Sequence, residues 1–517
     1  MIKSIVKKGE YYDSVSLMIV GKNINEIENV LDATVVMATF ENKNILKMAN
    51  LYLDEFEKYD DTDMLVVVKS DKADIFDEVF AKVDELLIEI RNKKDDQGSF
   101  NSKSIDGALK KQPDSNLVLI SLAGRYAGKE AMKALKKGLH VMLFSDNVPI
   151  ETEVELKQYA FDNNLLVMGP DCGTAIINDV PLAFSNVVKK GDIGIVAASG
   201  TGLQEVSSII SEEGFGISQA IGTGGRDIKE AVGGLMFLAS LEALKNDDNT
   251  KVIVLVSKPP HPSVLKKINE KIKEISKPIV TIFLGADKEL IKESGAIPAE
   301  TLEEAALLAC AISGNYQIEK VGKFLEERKA DYTPIVNIQV KKIGAKRKYI
   351  RGLFSGGTLC DETQIVLKKE ISNIYSNRSS DKKYALENSW ASKEHTLVDL
   401  GEDEFTVGRL HPMMDFDLRN KRIIQEAKDN ETAIILFDLV LGYGAHIDPI
   451  GEILPVLKKS QEIASDISYI CSVTGTSGDP QDRKEVISIL EENNVLVMPS
   501  NASVAEVANL IIKEINE

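Results

Sequence analysis

Short apolar runs alternate with longer segments of helical periodicity along most of the chain. Residues 117–121 (LVLIS) and 433–438 (AIILFD), for example, each lead through a turn into a segment with apolar residues at helical spacing. Buried strands that alternate with helices are typical of parallel, doubly wound sheets. The pattern therefore predicts α/β domains at residues 115–190, 191–315 and 348–517.

The first 95 residues show the same alternation on a smaller scale, and we interpret them as a small N-terminal α/β module. Three strands and two helices are predicted there, at residues 14–20, 34–39 and 64–68 and at residues 25–31 and 73–91. No motif in this module indicates a particular chemistry. The polar residues 92–115 and the charged residues 315–347 predict links between domains.

One stretch, residues 194–214, joins a buried strand to a turn that suits anion binding. The turn is formed by Ser199, Gly200, Thr201 and Gly202, and an amphipathic helix follows it directly. Free backbone N–H groups at a helix N-terminus attract anions. We call residues 199–202 the first cradle and predict that they bind phosphate.

The same layout recurs about 155 residues later, in residues 352–370. Strand, turn and helix follow one another again, and the turn consists of Ser355, Gly356, Gly357 and Thr358. We call residues 355–358 the second cradle and expect a phosphate or carboxylate to lie between the two cradles. The simpler alternative is that these Ser and Thr residues only cap their helices.

Two further loops follow predicted strands at the edge where doubly wound sheets bind ligands. Residues 169–178 (GPDCGTAIIN) contain Cys172 and Gly173, and residues 222–227 (GTGGRD) contain Arg226. We predict ligand contacts at these three residues and at Gly124, which follows the strand at 117–121. Cys172 has an alternative interpretation as a small buried thiol, and Arg226 as a surface charge.

Two histidines lie in loops rich in glycine or proline, where functional residues tend to occur. His411 belongs to GRLHPMMD and His446 to GYGAHIDP. We predict a general acid–base or carboxylate-binding role for one of them, with Arg409 as an anion contact. A hydrogen-bonded structural histidine is the alternative for both.

Composition and charge exclude several classes of function. The net charge of −18 argues against nucleic acid or an anionic membrane as the main partner. The four cysteines are scattered without metal-ligand spacing, so no metal site is expected. No signal peptide opens the chain and no apolar run of about 18 residues could span a bilayer, which predicts a cytoplasmic protein.

Several of these motifs resemble those of the succinyl-CoA synthetase superfamily. GPDCGTAIIN is similar to its Gly-Pro-Asn-Cys-Pro-Gly loop, and AASGTGLQEV to its Ser-Gly-Thr helix start. Within the superfamily, GLFSGGTLCDE, VDLGEDEFTVGRLHPMMD and GYGAHIDP look most like the FdrA proteins. The resemblance implies a CoA-binding-like Rossmann domain at 115–190, a ligase-like flavodoxin-type domain at 191–315 and a second ligase-like domain at 348–517.

Two departures from the synthetases bear on the expected chemistry. Glu293 stands where the synthetases carry a phosphorylated histidine, in ESGAI instead of His-Ala-Gly-Ala-Ile. In addition, 95 residues before the first link are too few for the ATP-grasp domain of the synthetases' second subunit. The chain is therefore not expected to use a phosphohistidine or to be a self-sufficient ligase.

FdrA-type proteins are associated with oxamate carbamoyltransferase in anaerobic allantoin degradation, as one subunit of the enzyme. The resemblance thus implies carbamoyl transfer among phosphate, carbamoyl phosphate and an oxamate-like acid. It also implies other subunits as partners and is compatible with a homodimer. No cofactor is expected to be required for this reaction, and whether coenzyme A binds is left open. The alternatives are an acyl-CoA synthetase with a separate ATP-grasp chain and a CoA- or metabolite-binding regulatory subunit.

Overall fold

The computed structural model describes residues 1–10, 12, 14–60, 62–95, 102, 104–406 and 409–516. The chain divides into two compact units. One comprises residues Met1–Lys103 with Gly401–Pro412, and the other comprises Ser104–Leu400 with Met413–Glu517. Much of the predicted link at 92–115 is helical, and its residues 96–101 and 103 lie outside the described part of the chain.

The unit at the N-terminus is a small α/β module, as predicted. Its elements are β1 (Ile2–Lys7), α1 (Ser14–Asn25), β2 (Val30–Met37), α2 (Phe40–Met48), a 3-10 helix (Asp54–Lys58), β3 (Met64–Ser70) and α3 (Phe76–Asp95). The sheet order is β1-β3-β2 and both pairings are antiparallel. This sheet therefore differs from the parallel sheets of the other unit.

The strand predicted at residues 14–20 is wrong, since these residues belong to helix α1. Leu17, Val20 and Ile24 are buried on one face at intervals of three and four residues. The apolar run is too short for its periodicity to distinguish a strand from a buried helix. Tertiary packing therefore determines which of the two forms. The helix predicted at residues 25–31 is also wrong, because β2 begins within it.

A three-stranded parallel sheet opens the larger unit. Its elements are α4 (Ile105–Lys111), β4 (Leu117–Ile120), α5 (Gly124–Leu135), β5 (His140–Leu143), α6 (Ile150–Asp162) and β6 (Val167–Met168). The strand order is β4-β5-β6. These strands agree with the apolar runs predicted for the Rossmann-like region.

A seven-stranded sheet follows. Its elements are β7 (Thr174–Ile177), β8 (Val180–Ala183), β9 (Lys190–Ala197), α7 (Gly200–Glu212), β10 (Ile217–Gly222), α8 (Leu235–Asn246), β11 (Val252–Ser257), α9 (Pro262–Ile272), β12 (Ile279–Phe283), α10 (Lys288–Lys292), β13 (Ile297–Pro298) and α11 (Leu302–Ser313). The order is β13-β12-β11-β9-β10-β7-β8. Strands β9–β13 are parallel, in the order 2-1-3-4-5 of flavodoxin-like sheets. We call β7–β13 with their helices the first half.

The antiparallel hairpin β7–β8 pairs with β10 and so belongs to the first half. Its residues lie inside the predicted 115–190 domain.

Two helices connect the first half to the last sheet, α12 (Glu319–Ala330) and α13 (Thr333–Lys342). The charged residues 315–347 thus do connect the two sheets, but the expectation that they lack long periodic segments is wrong, because most of them are helical. Each helix buries little apolar surface, mainly Val321 in α12 and Val336 in α13. Such a narrow apolar face gives a weak periodic signal.

The last sheet has six parallel strands. Its region contains β14 (Tyr349–Phe354), α14 (Gly357–Leu367), β15 (Ile374–Ser376), a 3-10 helix (Lys382–Tyr384), β16 (His395–Asp399), α15 (Asp403–Thr406), α16 (Asp417–Ala427), β17 (Thr432–Val440), α17 (Pro449–Ile463), β18 (Ser468–Thr474), α18 (Arg483–Glu492), β19 (Val495–Met498) and α19 (Asn501–Asn516). Helix α15 lies in the segment that groups with the N-terminal unit. The order is β15-β16-β14-β17-β18-β19, so the sheet without β15 repeats the order 2-1-3-4-5. We call this sheet with α14 and α16–α19 the second half.

The two halves exchange buried contacts in a pseudo-twofold manner. Glu205, six residues after the cap of α7, accepts a hydrogen bond from the N–H of Asn501 at the start of α19 (3.1 Å). Glu362, six residues after the cap of α14, accepts one from the N–H of Leu302 at the start of α11 (2.7 Å). Each first helix thus caps the last helix of the other half. No helix in the described part of the chain is long and apolar enough to cross a membrane.

The buried carboxyl of Glu362 predicts a pH dependence of stability. Burial raises its pKa from 4.5 to about 8, so between these values the folded state holds a proton that the unfolded state lacks. Stability should therefore fall as pH rises through this window, by up to about 1.4 kcal/mol per pH unit. Urea unfolding at pH 5 and pH 8 should show a smaller difference in Glu362→Gln than in wild type. The exposed Glu326→Gln is the control, and an equal pH dependence in all three proteins would contradict the prediction.

Candidate functional site

Each cradle lies where the strand order of its sheet reverses. The first follows β9, between β11 and β10, and the second follows β14, between β16 and β17. In open α/β sheets this switch point at the carboxyl ends of the strands forms the ligand crevice. The fold therefore places both cradles where a ligand would bind.

The two cradles meet at the junction of the two halves. The hydroxyl oxygens of Ser199 and Thr358 lie 2.5 Å apart. A Cβ added to Gly356 would lie 3.1 Å from Oγ1 of Thr201, and so a larger residue at Gly356 would press on the first cradle. The N-termini of α7 and α14 therefore face one site.

Several backbone donors at this junction are unpaired. Ser199 caps its own helix by accepting a hydrogen bond from the N–H of Gly202 (3.0 Å). Five N–H groups donate to no acceptor in the part of the chain that the structure describes, namely those of Gly200 and Thr201 in α7 and of Gly357, Thr358 and Leu359 in α14. Five donors at two helix N-termini create a strongly anion-attracting region. Helix capping therefore explains Ser199. The five unpaired N–H groups remain available to a ligand.

An internal carboxylate occupies part of the second cradle. Asp438, fully buried at the end of β17, accepts hydrogen bonds from the backbone N–H of Ser355 and of Gly356, both at 2.8 Å. The Ser355 hydroxyl also donates to it at 3.0 Å. Arg419 pairs with the same carboxylate at 3.1 Å. Ser355 and the Gly356 N–H are therefore engaged internally, whereas the donors from Gly357 onward remain available.

A charged cluster lies beside the start of α14. Arg378 holds Asp361 with two hydrogen bonds, at 3.0 and 3.1 Å, and Asp399 with a third at 3.0 Å. Lys258, from the first half, reaches the carboxylate of Asp361 at 2.7 Å. Burial raises the pKa of Asp361 to about 7, and the charge of Lys368 opposes this shift.

Only some of these charged residues have a recognisable signal in the sequence. Asp438 interrupts the apolar run AIILFDLVL, and Lys258 directly follows the apolar run VIVLV and a serine. A charge at the end of a buried strand is a usable signal for a site at the sheet edge. Arg378 carries no comparable signal, because its neighbours in sequence are polar, and Asp361 carries none because it does not end an apolar strand.

Cys172 is a buried thiol, the alternative given above. Its side chain is 3% exposed, and burial raises its pKa to about 12. The thiol donates to the carbonyl oxygen of Gly222 at 3.3 Å, which holds the GPDCG and GTGGRD loops together. Gly173 lies in the same loop, and a Cβ there would only touch Phe184 at 3.7 Å. Ligand binding by Cys172 and Gly173 stays a prediction.

Arg226 is held in a salt-bridge network. Its Nε lies 2.8 Å from Glu153, and one Nη donates to the carbonyl of Val148 at 2.7 Å. Glu153 also pairs with the fully buried Lys157, which contacts Asp227 at 2.9 Å. The network ties the GTGGRD loop to α6, so the structure gives Arg226 a role in holding this loop.

Gly124 begins α5 where two backbones approach closely. A Cβ at this position would lie 2.3 Å from the carbonyl oxygen of Asp146 and 2.4 Å from that of Asn147. The close approach explains why glycine is needed, without any ligand.

His446 lies on the loop after β17, and in the described residues no hydrogen bond or ion pair joins it to either cradle. Its Nδ1 accepts a hydrogen bond from the N–H of Asp448 (3.2 Å), and its Nε2 lies 3.6 Å from Glu452. The half-buried His411 and the exposed Arg409 belong to the segment that groups with the N-terminal unit. A catalytic role for these residues stays a prediction.

The segment that replaces the phosphohistidine loop lies between α10 and α11. Glu293 closes the short helix α10 and is exposed to solvent. None of the five histidines in the sequence falls within residues 293–297.

Comparisons with known proteins agree with this architecture. A family model described as CoA-ligase matches residues 353–511, and one described as CoA binding domain matches residues 188–285. The second match lies in the first half, C-terminal to most of the region expected to resemble a CoA-binding domain. The fold and these matches define a CoA-ligase architecture of the succinyl-CoA synthetase type.

The protein YahF of Escherichia coli K12 is 40% identical to this chain over 99% of the chain and 98% of its own length. The α-subunit of an ADP-forming succinate–CoA ligase from Methanothermobacter thermautotrophicus is 27% identical over 34% of this chain and 58% of its own length. A dinucleotide-forming acetyl-coenzyme A synthetase 1 from Ca. Korarchaeum cryptofilum, solved with phosphate and ADP, is 16% identical over 78% of this chain and 84% of its own, with a TM-score of 0.34. The chain belongs to the FdrA family of succinyl-CoA-synthetase-like proteins.

A third family model, described as AllF, heavy metal-associated domain, matches residues 1–103. These residues contain neither cysteine nor histidine. Thiolate and imidazole are ligands that soft heavy metals select, so residues 1–103 by themselves do not fit such a metal. We assign no metal chemistry to them.

Proposed function

We propose that this chain is the phosphate-binding subunit of an enzyme that transfers a carbamoyl group between phosphate and an oxamate-like acid. In the forward direction, oxalurate and phosphate would give oxamate and carbamoyl phosphate. A phosphate oxygen bonds to the carbamoyl carbon, the C–N bond breaks, and the leaving nitrogen takes a proton. The observation that carries the proposal is the junction of two helix N-termini with five unpaired N–H groups.

The junction suits the charge that this reaction moves. N–H groups fixed before the reaction stabilise the phosphate oxygens as their charge redistributes, and both helix dipoles act in the same direction. Transfer directly between phosphate and the carbamoyl group requires no covalent intermediate on the protein. An exposed glutamate in place of the phosphohistidine is compatible with such a direct transfer.

A second candidate is an acyl-CoA ligase that works with a separate ATP-grasp chain. The matches to a CoA-ligase model and to a CoA binding domain favour it. In that case coenzyme A would be a substrate, and another residue or chain would carry the phosphoryl group. Both candidates place the chain in a hetero-oligomer, and for both we retain the domain boundaries 1–95, 115–190, 191–315 and 348–517 as proposals.

The test is phosphorolysis of oxalurate by the full chain, alone and together with the proteins encoded beside it. Thr201→Val and Thr358→Val should lower carbamoyl phosphate formation by at least about tenfold, because each removes a hydroxyl from the junction. Thr281→Val is the matched control, since Thr281 is a buried threonine in β12 outside both cradles. Its rate should stay close to that of wild type.

The outcome also separates the two candidates. Acyl-CoA formation with ATP, and none of carbamoyl phosphate, would overturn carbamoyl transfer in favour of the ligase. Carbamoyl phosphate formation that both cradle variants leave unchanged would mean that phosphate binds elsewhere.

A further inference from the structure

Lys258 follows strand β11 of the first half and lies beside the first cradle. In the parallel pair β9–β11, Val256 is the partner of Ala197, so Lys258 and Ser199 emerge from neighbouring strands at the same level. The N–H of Ala198 also donates to the carbonyl of Val256 at 2.9 Å. The backbone of Lys258 is therefore fixed at the carboxyl edge of the sheet, at the switch point.

The side chain of Lys258 reaches helix α14, which begins in the second cradle. Its Nζ lies 2.7 Å from the carboxylate of Asp361, which sits just after the first turn of α14. Arg378 fixes that carboxylate from the other side and lies close to Gly357, where an added Cβ would be 3.1 Å from its Nη1. One lysine thus links the first half to helix α14 of the second half, next to the first cradle.

The ammonium of Lys258 has capacity for a further acceptor. It has three N–H donors, and Asp361 is its one side-chain partner among the described residues. The side chain is 38% exposed, so a ligand from solvent can reach it. Arg378 directs three of its five N–H donors to Asp361 and Asp399.

An independent observation points to a ligand at the same place. Thr201 is more than nine-tenths buried and directed at Gly356 in the second cradle. Its hydroxyl makes no hydrogen bond within the described residues. This hydroxyl is therefore free to hydrogen-bond to a ligand at the junction.

We propose that Lys258 is the cation that binds the phosphoryl group of the ligand, either phosphate or carbamoyl phosphate, at the junction of the two cradles. Asp361 positions its ammonium, and the N–H groups of α7 and α14 complete the site. This inference rests on the proposed function, because it takes a phosphoryl dianion as the ligand. It adds Lys258, a residue from outside both cradles. The positive charge of Lys258 would make the site prefer a negatively charged phosphoryl group.

Binding of inorganic phosphate to the full chain, measured by isothermal titration calorimetry, tests the proposal without relying on activity. Lys258→Met should raise the Kd for phosphate by about tenfold or more, since a charge-assisted hydrogen bond is lost. Lys258→Arg should retain most of the affinity. Lys251→Met is the matched control, because Lys251 precedes the amino end of the same strand and is exposed.

In the oxalurate assay, Lys258→Met should raise KM for phosphate more than it lowers kcat. Circular dichroism and the thermal midpoint verify that each variant is folded. If wild type binds phosphate and Lys258→Met binds it equally well, the role of Lys258 is refuted while the proposed function stands. If wild type and all variants bind no phosphate, the phosphate site itself is refuted, and the role of Lys258 with it.

Discussion

Replacing Asp438 with alanine should lower the free energy of unfolding of the second half by about 3–5 kcal/mol. The carboxylate is fully buried and accepts hydrogen bonds from the N–H groups of Ser355 and Gly356. It also pairs with Arg419, which is itself 1% exposed. Burial lowers the pKa of Arg419 and the charge of Asp438 opposes this shift. Alanine would leave the buried guanidinium without its counter-charge and two buried N–H groups without their acceptor.

The measurement is urea unfolding followed by the fluorescence of Trp390, the single tryptophan of the chain, which lies in the second half. A double variant, Asp438→Ala with Arg419→Met, should be destabilised by less than the sum of the two single variants, because neither charge is then stranded. Asp114→Ala, at an exposed position, is the control. A loss below about 1 kcal/mol in Asp438→Ala would show that this ion pair contributes little.

Replacing Lys157 with methionine should also lower the free energy of unfolding by about 3–5 kcal/mol. Lys157 is fully buried and contacts Glu153 at 2.8 Å and Asp227 at 2.9 Å, both fully buried. It also donates to the carbonyl of Thr223 at 2.9 Å. Without the lysine, Asp227 loses its cation and Glu153 retains Arg226 alone.

Thermal and urea unfolding followed by circular dichroism measure this loss. Lys133→Met is the matched control: its ammonium pairs with Glu130 on the surface of α5 and is 51% exposed, so its removal should change stability by about 1 kcal/mol or less. Equal effects of the two substitutions would contradict a special role for the buried lysine. Because the network holds the GTGGRD loop, Lys157→Met should also increase protease cleavage near Arg226.

The fold was largely predictable because its evidence is local. Strands such as β11 and β17 are buried along their whole length, and so they stand out as continuous apolar runs. The errors occur where the local signal is ambiguous or weak. Helix α1 is a short apolar run without a clear period, and α12 buries only one residue, Val321.

The candidate site was predictable in part. Serine, threonine and glycine after a buried strand indicated both cradles, because this local sequence creates free N–H groups at a helix start. Gly124 and Arg226 were also named, but the structure explains them by close backbone packing and by a salt bridge to Glu153. A glycine or an arginine in a loop has the same appearance in sequence whether it contacts a ligand or another loop.

The sequence by itself determined two α/β halves, each with a cradle after the first of its parallel strands, and the absence of a histidine from residues 293–297. Only the tertiary structure decided that Ser199 and Thr358, 159 residues apart, are in contact. It also decided that Asp438 fills part of the second cradle and that Lys258 reaches helix α14 of the second half. The physical reason is that strand and helix formation depend on neighbours along the chain, whereas the partner of a hydroxyl, an N–H group or a charge is set by the packing of the two halves.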